Sequence, residues 1–455
     1  MHGLMWIQLK LGPGTVVVIS SPKTIKQVLE IQSADTADRP ASSLYDLVTD
    51  GMNFFLCRYN DKWRQMRKAV QSLLSPAASK DYQQLQEAEA TQLQYDILTN
   101  PEDFFFHIHR FSASITLSIL YGWRAPRNDD PTAGRFADLN TRWANFLRPG
   151  ATPPVDLLPI LKYLPEFLAP WRREARVIRA AQQGLYLGLF DECERKADTG
   201  DMHAASFVAD LIRDREIHGM SKQQMIMLAG SVYEAGAHTT AAFVHNLVKL
   251  LVTHPEVQEQ AAAELDRVVG DERSPTLEDA DDLPYIRALM QETHRFRVIT
   301  PQLLPHRATC DIQYNGYLIP EGATILGNIH GVFNDPDLFD APEQYNPARY
   351  LKAEFGTRPG VDDSNFRSTL IFGAGRRICP GMHVASASTT LATMKLIWAF
   401  KFRPAVDPTT GKFYRTRRSC QLRWPCGWPG ALRMRYTLSQ PTEYERKSSD
   451  KNGQH

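Results

Sequence analysis

A cysteine follows a glycine-rich turn in the segment Phe372-Gly-Ala-Gly-Arg-Arg-Ile-Cys379-Pro-Gly381. Gly373 and Gly375 permit backbone conformations that other residues rarely adopt, and they allow a close approach to a bulky flat group. A helix is predicted to begin directly after the cysteine, with the proline at its first position. The positive end of that helix is expected to favour the thiolate form of the cysteine.

This segment resembles the haem loop of the cytochromes P-450. The family pattern F-x-x-G-x-R-x-C-x-G is met at every fixed position, namely Phe372, Gly375, Arg377, Cys379 and Gly381. The resemblance covers nearly the whole chain and implies a mainly α fold with a small β region in one large domain. It also implies that the Cys379 thiolate is the axial ligand of a haem b iron, with the other four residues around the cofactor.

Composition argues against several other classes of protein. The 455 residues carry 52 Lys and Arg against 51 Asp and Glu, so the chain lacks the basic excess of a nucleic-acid binder. Six cysteines, none in a C-x2-C pair, are too few for a disulfide scaffold and do not form a zinc knuckle. No stretch approaches about 18 consecutive apolar residues, so no membrane-spanning helix is expected, and no signal peptide is recognised.

One catalytic domain is predicted over residues 1–440, with a polar, disordered tail at 441–455. The chain is expected to begin inside a folded unit, without the anchor helix of eukaryotic relatives. Helices are predicted at 22–33, 61–74, 79–98, 104–121, 172–197, 221–253, 255–269, 283–297 and 381–400. Strands are predicted at 6–11, 15–19, 312–314, 317–319 and 324–327, with a turn at Asn315-Gly316.

Two more segments match the family in order along the chain. Glu292-Thr-His-Arg295 matches its E-x-x-R motif, and Asn346-Pro-Ala-Arg349 resembles its second-arginine segment. The resemblance implies that Glu292, Arg295 and Arg349 form a buried network, which must be fully paired because buried charge is costly.

The family's haem-propionate residues have counterparts too. Trp63-Arg-Gln-Met-Arg67 matches W-x-x-x-R, and a spacing of four places Trp63 and Arg67 on one helix face. The resemblance implies that both reach the propionates, as does Arg377 of the haem loop. His306 stands where the family often places a histidine or arginine against a propionate.

The segment Ala235-Gly-Ala-His238-Thr239-Thr240 resembles the family's oxygen-activation pattern, A/G-G-x-D/E-T-T/S. The resemblance implies that Thr239 holds water for proton delivery to dioxygen. His238 replaces the usual acid, and Glu234 lies four residues earlier on the same face. One hypothesis is that Glu234 and His238 together replace the acid. The alternative is that His238 points into a neighbouring helix and protons arrive through Thr239 and water alone.

Residues 151–170 are rich in proline and large apolar side chains. In eukaryotic family members the matching segment joins two helices of the substrate lid and dips into the bilayer; a buried core loop is the alternative. Substrate contacts are expected from 42–55, 227–239 and 299–304, which are apolar or small, so a mostly apolar small organic substrate is predicted.

The sequence therefore predicts a haem-thiolate monooxygenase of the fungal, reductase-dependent type. It would use O2 and electrons ultimately from NADPH, through cytochrome P-450 reductase, to hydroxylate or epoxidise its substrate in secondary-metabolite biosynthesis. The family habit places such enzymes at the endoplasmic reticulum membrane surface, and no nucleic-acid partner is expected. The alternatives are a haem-thiolate isomerase or peroxygenase that needs no reductase, and a non-catalytic haem-binding accessory protein.

Overall fold

The computed structural model describes residues 6–148, 150–199 and 206–404. Helices dominate the described residues, and two small sheets make up the rest of the regular structure. The fold class predicted from the sequence is therefore confirmed. The predicted tail at 441–455 lies outside the described residues.

The α-helices of the described residues are α1 (Pro22–Ile25), α2 (Ser33–Thr36), α3 (Ser43–Thr49), α4 (Asp61–Leu73), α5 (Pro76–Asp81), α6 (Gln83–Thr99), α7 (Phe104–Tyr121), α8 (Pro131–Leu147), α9 (Pro170–Asp198), α10 (Phe207–Arg213), α11 (Arg215–His218), α12 (Lys222–Thr253), α13 (Pro255–Val268), α14 (Pro284–Phe296), α15 (Ile329–Phe333), α16 (Arg349–Lys352) and α17 (Met382–Ala399). The strands are β1 (Trp6–Leu11), β2 (Gly14–Ile19), β3 (His306–Arg307), β4 (Ile312–Tyr314), β5 (Tyr317–Ile319) and β6 (Thr324–Gly327).

The long predicted helix is confirmed as α12, which runs unbroken for 32 residues. At 1.5 Å per residue it is about 48 Å long and crosses the whole domain. Its start is fixed by a capping box, in which the Ser221 and Gln224 side chains each satisfy a backbone N–H of the first turn. Pro255 begins α13 directly beyond its end.

Two predicted helices differ from the structure. The predicted helix at 22–33 is helical without a break only as far as Ile31, and its type changes from α-helix over Pro22–Ile25 to π-helix over Lys26–Ile31. In that turn the Gln32 N–H bonds the Gln27 carbonyl, five residues back. The predicted helix at 79–98 is divided at Tyr82 into α5 and α6.

The main sheet pairs the strands of residues 6–19 with those of residues 306–307 and 324–327. Its strand order is β1-β2-β6-β3, with β2 parallel to β6 and the other pairs antiparallel. A separate β4–β5 hairpin turns at Asn315 and Gly316, which both have positive φ, as the predicted two-residue turn requires.

The Glu292 network is buried and paired as the sequence predicts. Both Glu292 carboxylate oxygens accept from Arg295, at 2.7 and 2.8 Å, and Arg349 Nε donates to Oε1 at 3.2 Å. The Asn346 N–H adds a bond of 2.8 Å to the same oxygen, and Arg295 also donates to the Phe333 carbonyl at 2.7 Å. The network therefore ties α14 to the chain that leads into α16, close to the start of the cysteine loop.

Candidate functional site

The cysteine loop is anchored on the π-helical turn of residues 26–31. Gly373 and Gly375 have φ of +94° and +56°, as a tight turn of this kind requires. A Cβ at Gly375 would collide with the carbonyl oxygen of Leu29. The close approach that Gly375 permits is therefore to the protein's own backbone, which corrects the expectation that this glycine makes room for a flat group.

Cys379 lies in the turn ahead of α17. Its N–H donates to the Phe372 carbonyl at 2.8 Å, which closes the loop. Gly381 is the N-cap of α17, so Pro380 precedes the helix and does not occupy its first position as predicted. The residue as a whole is partly exposed.

The start of α17 acts on Cys379 in the predicted direction, but burial of the thiol outweighs it. Burial raises the pKa of the thiol, while the backbone hydrogen bond with Gly381 and the positive charge of Arg67 lower it less. Arg67 also donates to the Ile378 carbonyl at 2.7 Å and so holds the loop. A metal ion deprotonates a coordinating thiol outright, so the site suits a thiolate whose charge is stabilised by a bound metal.

Arg377 lies flat against Trp63, as the resemblance implies for two residues of one cofactor pocket. The guanidinium carbon is 4.1 Å from the centre of the indole ring. Its Nε and Nη2 donate to the carbonyls of Ala37 and Cys57, at 2.7 and 2.9 Å. Its Nη1 is buried and has no partner among the described residues. Burial lowers the pKa of Arg377 to about 10.

Arg39, which the sequence analysis did not single out, is buried nearby. Its Nε donates to the Phe55 carbonyl, and its Nη1 donates to the carbonyls of Leu304 and Pro305, at 3.0, 2.9 and 2.8 Å. Burial, and then the charge of Arg377, lower the pKa of Arg39 to about 9. Two guanidinium groups therefore repel each other in the protein interior.

His306 belongs to the same cluster. It sits on β3, with Nδ1 2.7 Å from the Thr36 carbonyl, so Nδ1 carries the proton and Nε2 is turned away from that bond. Burial, and then the charge of Arg39, lower its pKa to about 3. A nearby anion would reverse the second effect.

No ion pair neutralises this cluster within the described ranges. The Asp38 carboxylate raises the pKa of both Arg39 and Arg377, but its ion pairs are with Arg58 and Arg307. Buried positive charge without a counter-charge is unfavourable, and the unpaired Nη1 of Arg377 is a strong donor for an anion. The residues present thus fit the two propionates of a haem, with the Cys379 sulfur at its iron.

Aromatic rings connect the loop to the middle of α12. The Phe243 ring lies 4.4 Å from that of His294, which lies 6.3 Å from that of Phe372. Four residues before Phe243, the Thr239 hydroxyl donates to the Ala235 carbonyl at 2.7 Å. Its lone pairs remain available to a water molecule.

Glu234 and His238 contact different helices. Glu234 Oε1 accepts hydrogen bonds from Tyr186 Oη and Gln182 Nε2, both on α9. Burial raises the pKa of Glu234 to about 7. The His238 ring instead lies 6.1 Å from that of His109 on α7, and burial lowers its pKa to about 4.

The segment at 151–170 forms two short 3-10 turns, Pro159–Tyr163 and Glu166–Leu168, between α8 and α9. Its large apolar side chains face outward: Ile160 is 76% exposed, Tyr163 84% and Phe167 83%. The alternative of a buried core loop is therefore wrong for these side chains. No helix of the described residues is both long and apolar enough to cross a bilayer.

Comparison with known proteins agrees with this site. The family model of cytochrome P-450 matches residues 3–416. A cytochrome P-450 monooxygenase of Armillaria gallica is 38% identical over 402 residues, covering 88% of this chain and 76% of that protein. The monooxygenase atE of Aspergillus terreus is 35% identical, covering 87% and 74%. A zebrafish cytochrome P-450 solved with progesterone has a TM-score of 0.74 at 23% identity, covering 90% and 93%.

The chain therefore belongs to the cytochrome P-450 family. It is a monooxygenase of that family, an oxidoreductase class that incorporates oxygen from O2, needs a redox partner and takes haem as its cofactor.

Two sets of residues near this site could not be predicted from the sequence. Arg39 is one of many arginines, and only the fold shows that its side chain bonds to backbone carbonyls and not to a carboxylate. Tyr186 and His109 carry no motif, because they reach α12 from helices far away in sequence. No single-sequence signal distinguishes these residues from ordinary core positions.

Replacing Arg39 tests the cation cluster. Arg39→Met should speed haem loss to an excess of apo-globin about ten- to a hundredfold, because a charged hydrogen bond contributes about 1.5–3 kcal/mol. Arg39→Lys keeps the charge and should lose haem more slowly than Arg39→Met. Arg358→Met removes a half-exposed arginine and should match the wild type. Equal rates in all four proteins would show that Arg39 does not hold the cofactor.

Proposed function

We propose that this enzyme takes two electrons from an NADPH-dependent cytochrome P-450 reductase and inserts one oxygen atom of O2 into a mostly apolar organic molecule. The balance is RH + O2 + NADPH + H+ → ROH + H2O + NADP+. The observation that carries the proposal is Cys379 directly ahead of α17, in the same loop as Arg377, whose Nη1 is buried without a partner among the described residues. The pathway we propose is a fungal secondary-metabolite route, since the relatives reported above include fungal monooxygenases.

Haem b, when bound, supplies the activation of dioxygen, and the protein holds and shields it. Cys379 is the iron ligand, with Phe372 and Gly381 beside it in the same loop. We assign the propionates to five side chains. Three of them, Arg39, Arg377 and His306, form the cation cluster, and the other two are Trp63 and Arg67.

Proton control is assigned to three residues of α12. The Thr239 hydroxyl donates a hydrogen bond to the Ala235 carbonyl, and its oxygen accepts one from a water molecule. His238 is neutral at pH 7, so it can accept and release a proton. Glu234, whose pKa is about 7, exchanges protons readily at neutral pH. Because Glu234 faces α9 and His238 faces α7, the two would replace the acid that the family usually carries by separate proton routes.

The exposed apolar side chains of residues 157–168 support a peripheral membrane contact. Such a patch, which includes Ile160 and Phe167, is unfavourable in water and inserts into the interfacial region of a bilayer. We propose that this surface rests on the endoplasmic reticulum membrane, where the reductase is found.

A peroxide-driven oxygenation without a reductase is the second candidate. His238 favours it, because a neutral imidazole stands where the usual acid would be. The balance would be RH + H2O2 → ROH + H2O, which needs no further protons. Electron supply therefore separates the two functions.

A reconstituted assay tests the main proposal. Purified holoprotein, cytochrome P-450 reductase and a fungal metabolite extract are incubated under isotopically heavy dioxygen, with and without NADPH. We expect a metabolite that gains one heavy oxygen atom only when NADPH is present. The same product formed from hydrogen peroxide alone, at an equal or higher rate, would contradict the reductase-dependent proposal.

Three variants test the proton relay. His238→Ala, Glu234→Ala and Thr239→Ala should each lower product per NADPH at least about tenfold, since a positioned acid or base contributes 10²–10⁴-fold. Thr253→Ala is the matched control, because Thr253 makes the same hydroxyl bond to a carbonyl four residues back at the end of α12. If only Thr239→Ala uncouples, Glu234 and His238 are not relay residues.

Charge at the exposed patch tests the membrane contact. Ile160→Glu with Phe167→Glu should weaken cosedimentation with phosphatidylcholine–phosphatidylserine vesicles at least about tenfold, since burial of each apolar side chain contributes about 1.5–3 kcal/mol. Ile217→Glu is the control, because Ile217 is equally exposed on α11. Equal loss in both proteins, or no loss in either, would exclude residues 157–168 as the contact.

A further inference from the structure

Three imidazole rings pack together behind the oxygen-activation segment. His109 of α7 lies between two histidines of α12, with its ring centre 5.0 Å from that of His245 and 6.1 Å from that of His238. Phe105, one turn earlier on α7, stacks on His245 at 4.1 Å and lies 4.9 Å from His109. No motif found in the sequence assigns any role to α7.

Hydrogen bonding distinguishes the two neighbours of His109. His245 Nε2 lies 3.2 Å from the Phe105 carbonyl, and a carbonyl only accepts, so this nitrogen carries the proton. His245 is buried and is fixed by that bond. His109 and His238 are each partly exposed, and neither ring has a hydrogen bond to a described residue. The pair therefore has nitrogen atoms that water can reach.

The two rings are also at a distance that suits one bridging water. With ring centres 6.1 Å apart, two imidazoles are too far apart for a direct hydrogen bond in most orientations. The space between them is nevertheless too small for more than a bridging water. A neutral imidazole has one donor and one acceptor nitrogen, so a proton can enter at one and leave from the other.

Other groups around the pair do not compete for it. Glu234 is turned to α9 by its bonds to Tyr186 and Gln182. Ser112 of α7 donates to the Gly236 carbonyl at 3.1 Å. Neither histidine makes an ion pair within the described residues. The nearest titratable neighbour of His238 outside its own helix is thus His109.

We propose that His109 is a positioning residue for His238, and that the two imidazoles, bridged by one water, conduct protons to the water held by Thr239. The inference rests on the proposed monooxygenase function. In RH + O2 + 2e− + 2H+ → ROH + H2O, both protons would come from solvent. Each imidazole takes one proton on one nitrogen and releases one from the other, which leaves it neutral in the other tautomer until the ring turns over, while the reductase supplies both electrons.

The proposal predicts a change in how oxygen is reduced. In the absence of an organic substrate, oxygen that receives protons in time is reduced to water, O2 + 2NADPH + 2H+ → 2H2O + 2NADP+. Oxygen whose protons do not arrive by the relay leaves after two electrons and takes its two protons from bulk solvent, so it appears as hydrogen peroxide, O2 + NADPH + H+ → H2O2 + NADP+. Dioxygen itself is therefore the probe, and the readout is hydrogen peroxide formed per NADPH consumed.

The experiment compares His109→Phe, His109→Ala and His245→Phe with the wild-type holoprotein and reductase. His109→Phe keeps an aromatic ring in the cluster and should raise the peroxide fraction at least severalfold. His245→Phe is the matched control, because it changes the same stack without touching His238, and it should leave the fraction unchanged. His109→Ala leaves a space that water can fill, so it should raise the fraction less than His109→Phe does, whereas a purely structural role predicts the larger defect for the variant that leaves a cavity.

A second readout needs no turnover. The exchange of the C2 hydrogen of His238 with deuterium, followed by mass spectrometry of the resting holoprotein, reports ring protonation and access to water. His109→Phe should change this rate at least twofold, and His245→Phe should not.

Three results would overturn the proposal: an unchanged peroxide fraction in His109→Phe, an equal rise in His109→Phe and His245→Phe, or a larger rise in His109→Ala than in His109→Phe. A failure of the proposed function is recognised separately. In that case the wild-type protein itself would fail to oxidise NADPH in the presence of the reductase, and the relay would fail with it.

Discussion

Buried positive charge that makes no ion pair of its own within the described residues is the constraint on which the site depends. Arg39 and Arg377 lie close enough to lower the pKa of Arg39 further, and Arg377 leaves a buried N–H group without a partner. An isolated chain gains nothing from such an arrangement, because buried charges are costly when unpaired. A dianionic cofactor turns the same groups into strong, directional hydrogen-bond donors. Stability and cofactor binding are therefore coupled in this protein.

The fold holds this cation cluster and Cys379 in fixed positions relative to each other. Gly375 packs directly on the Leu29 carbonyl, so the cysteine loop is seated on the π-helical turn. Arg67 reaches across from α4 to the Ile378 carbonyl, one residue before Cys379. On the other side the Glu292 network ties α14 to the chain around α16. Each contact joins segments that are distant in sequence, so the thiol is held from several directions.

Local signals in the sequence predicted much of this fold. Proline and capping residues fixed the ends of α12 and α13, and Asn315-Gly316 fixed the hairpin, because these signals act within a few residues. The π-helical turn was missed, because no local signal marks it, and its contact with Gly375 lies more than 300 residues away in sequence. Helix α8 was missed although Asp130 and Pro131 mark its start.

The candidate site, like the fold, has a part that local sequence motifs predicted and a part that depends on contacts between distant segments. The motif residues Cys379, Trp63, Arg67 and Arg377 are brought together as the resemblance implied. The net rise in the pKa of Cys379 was not anticipated, because burial depends on the whole fold and outweighs the helix end. Arg39 and His109 have meaning only through their neighbours in space.

The most direct test of the account is the absorption spectrum of the purified holoprotein after reduction with dithionite under carbon monoxide. The account predicts the Soret band characteristic of sulfur ligation in the wild-type protein and its loss in Cys379→His. A wild-type band typical of nitrogen ligation, or a sulfur-type band that survives in Cys379→His, would contradict ligation of the iron by Cys379.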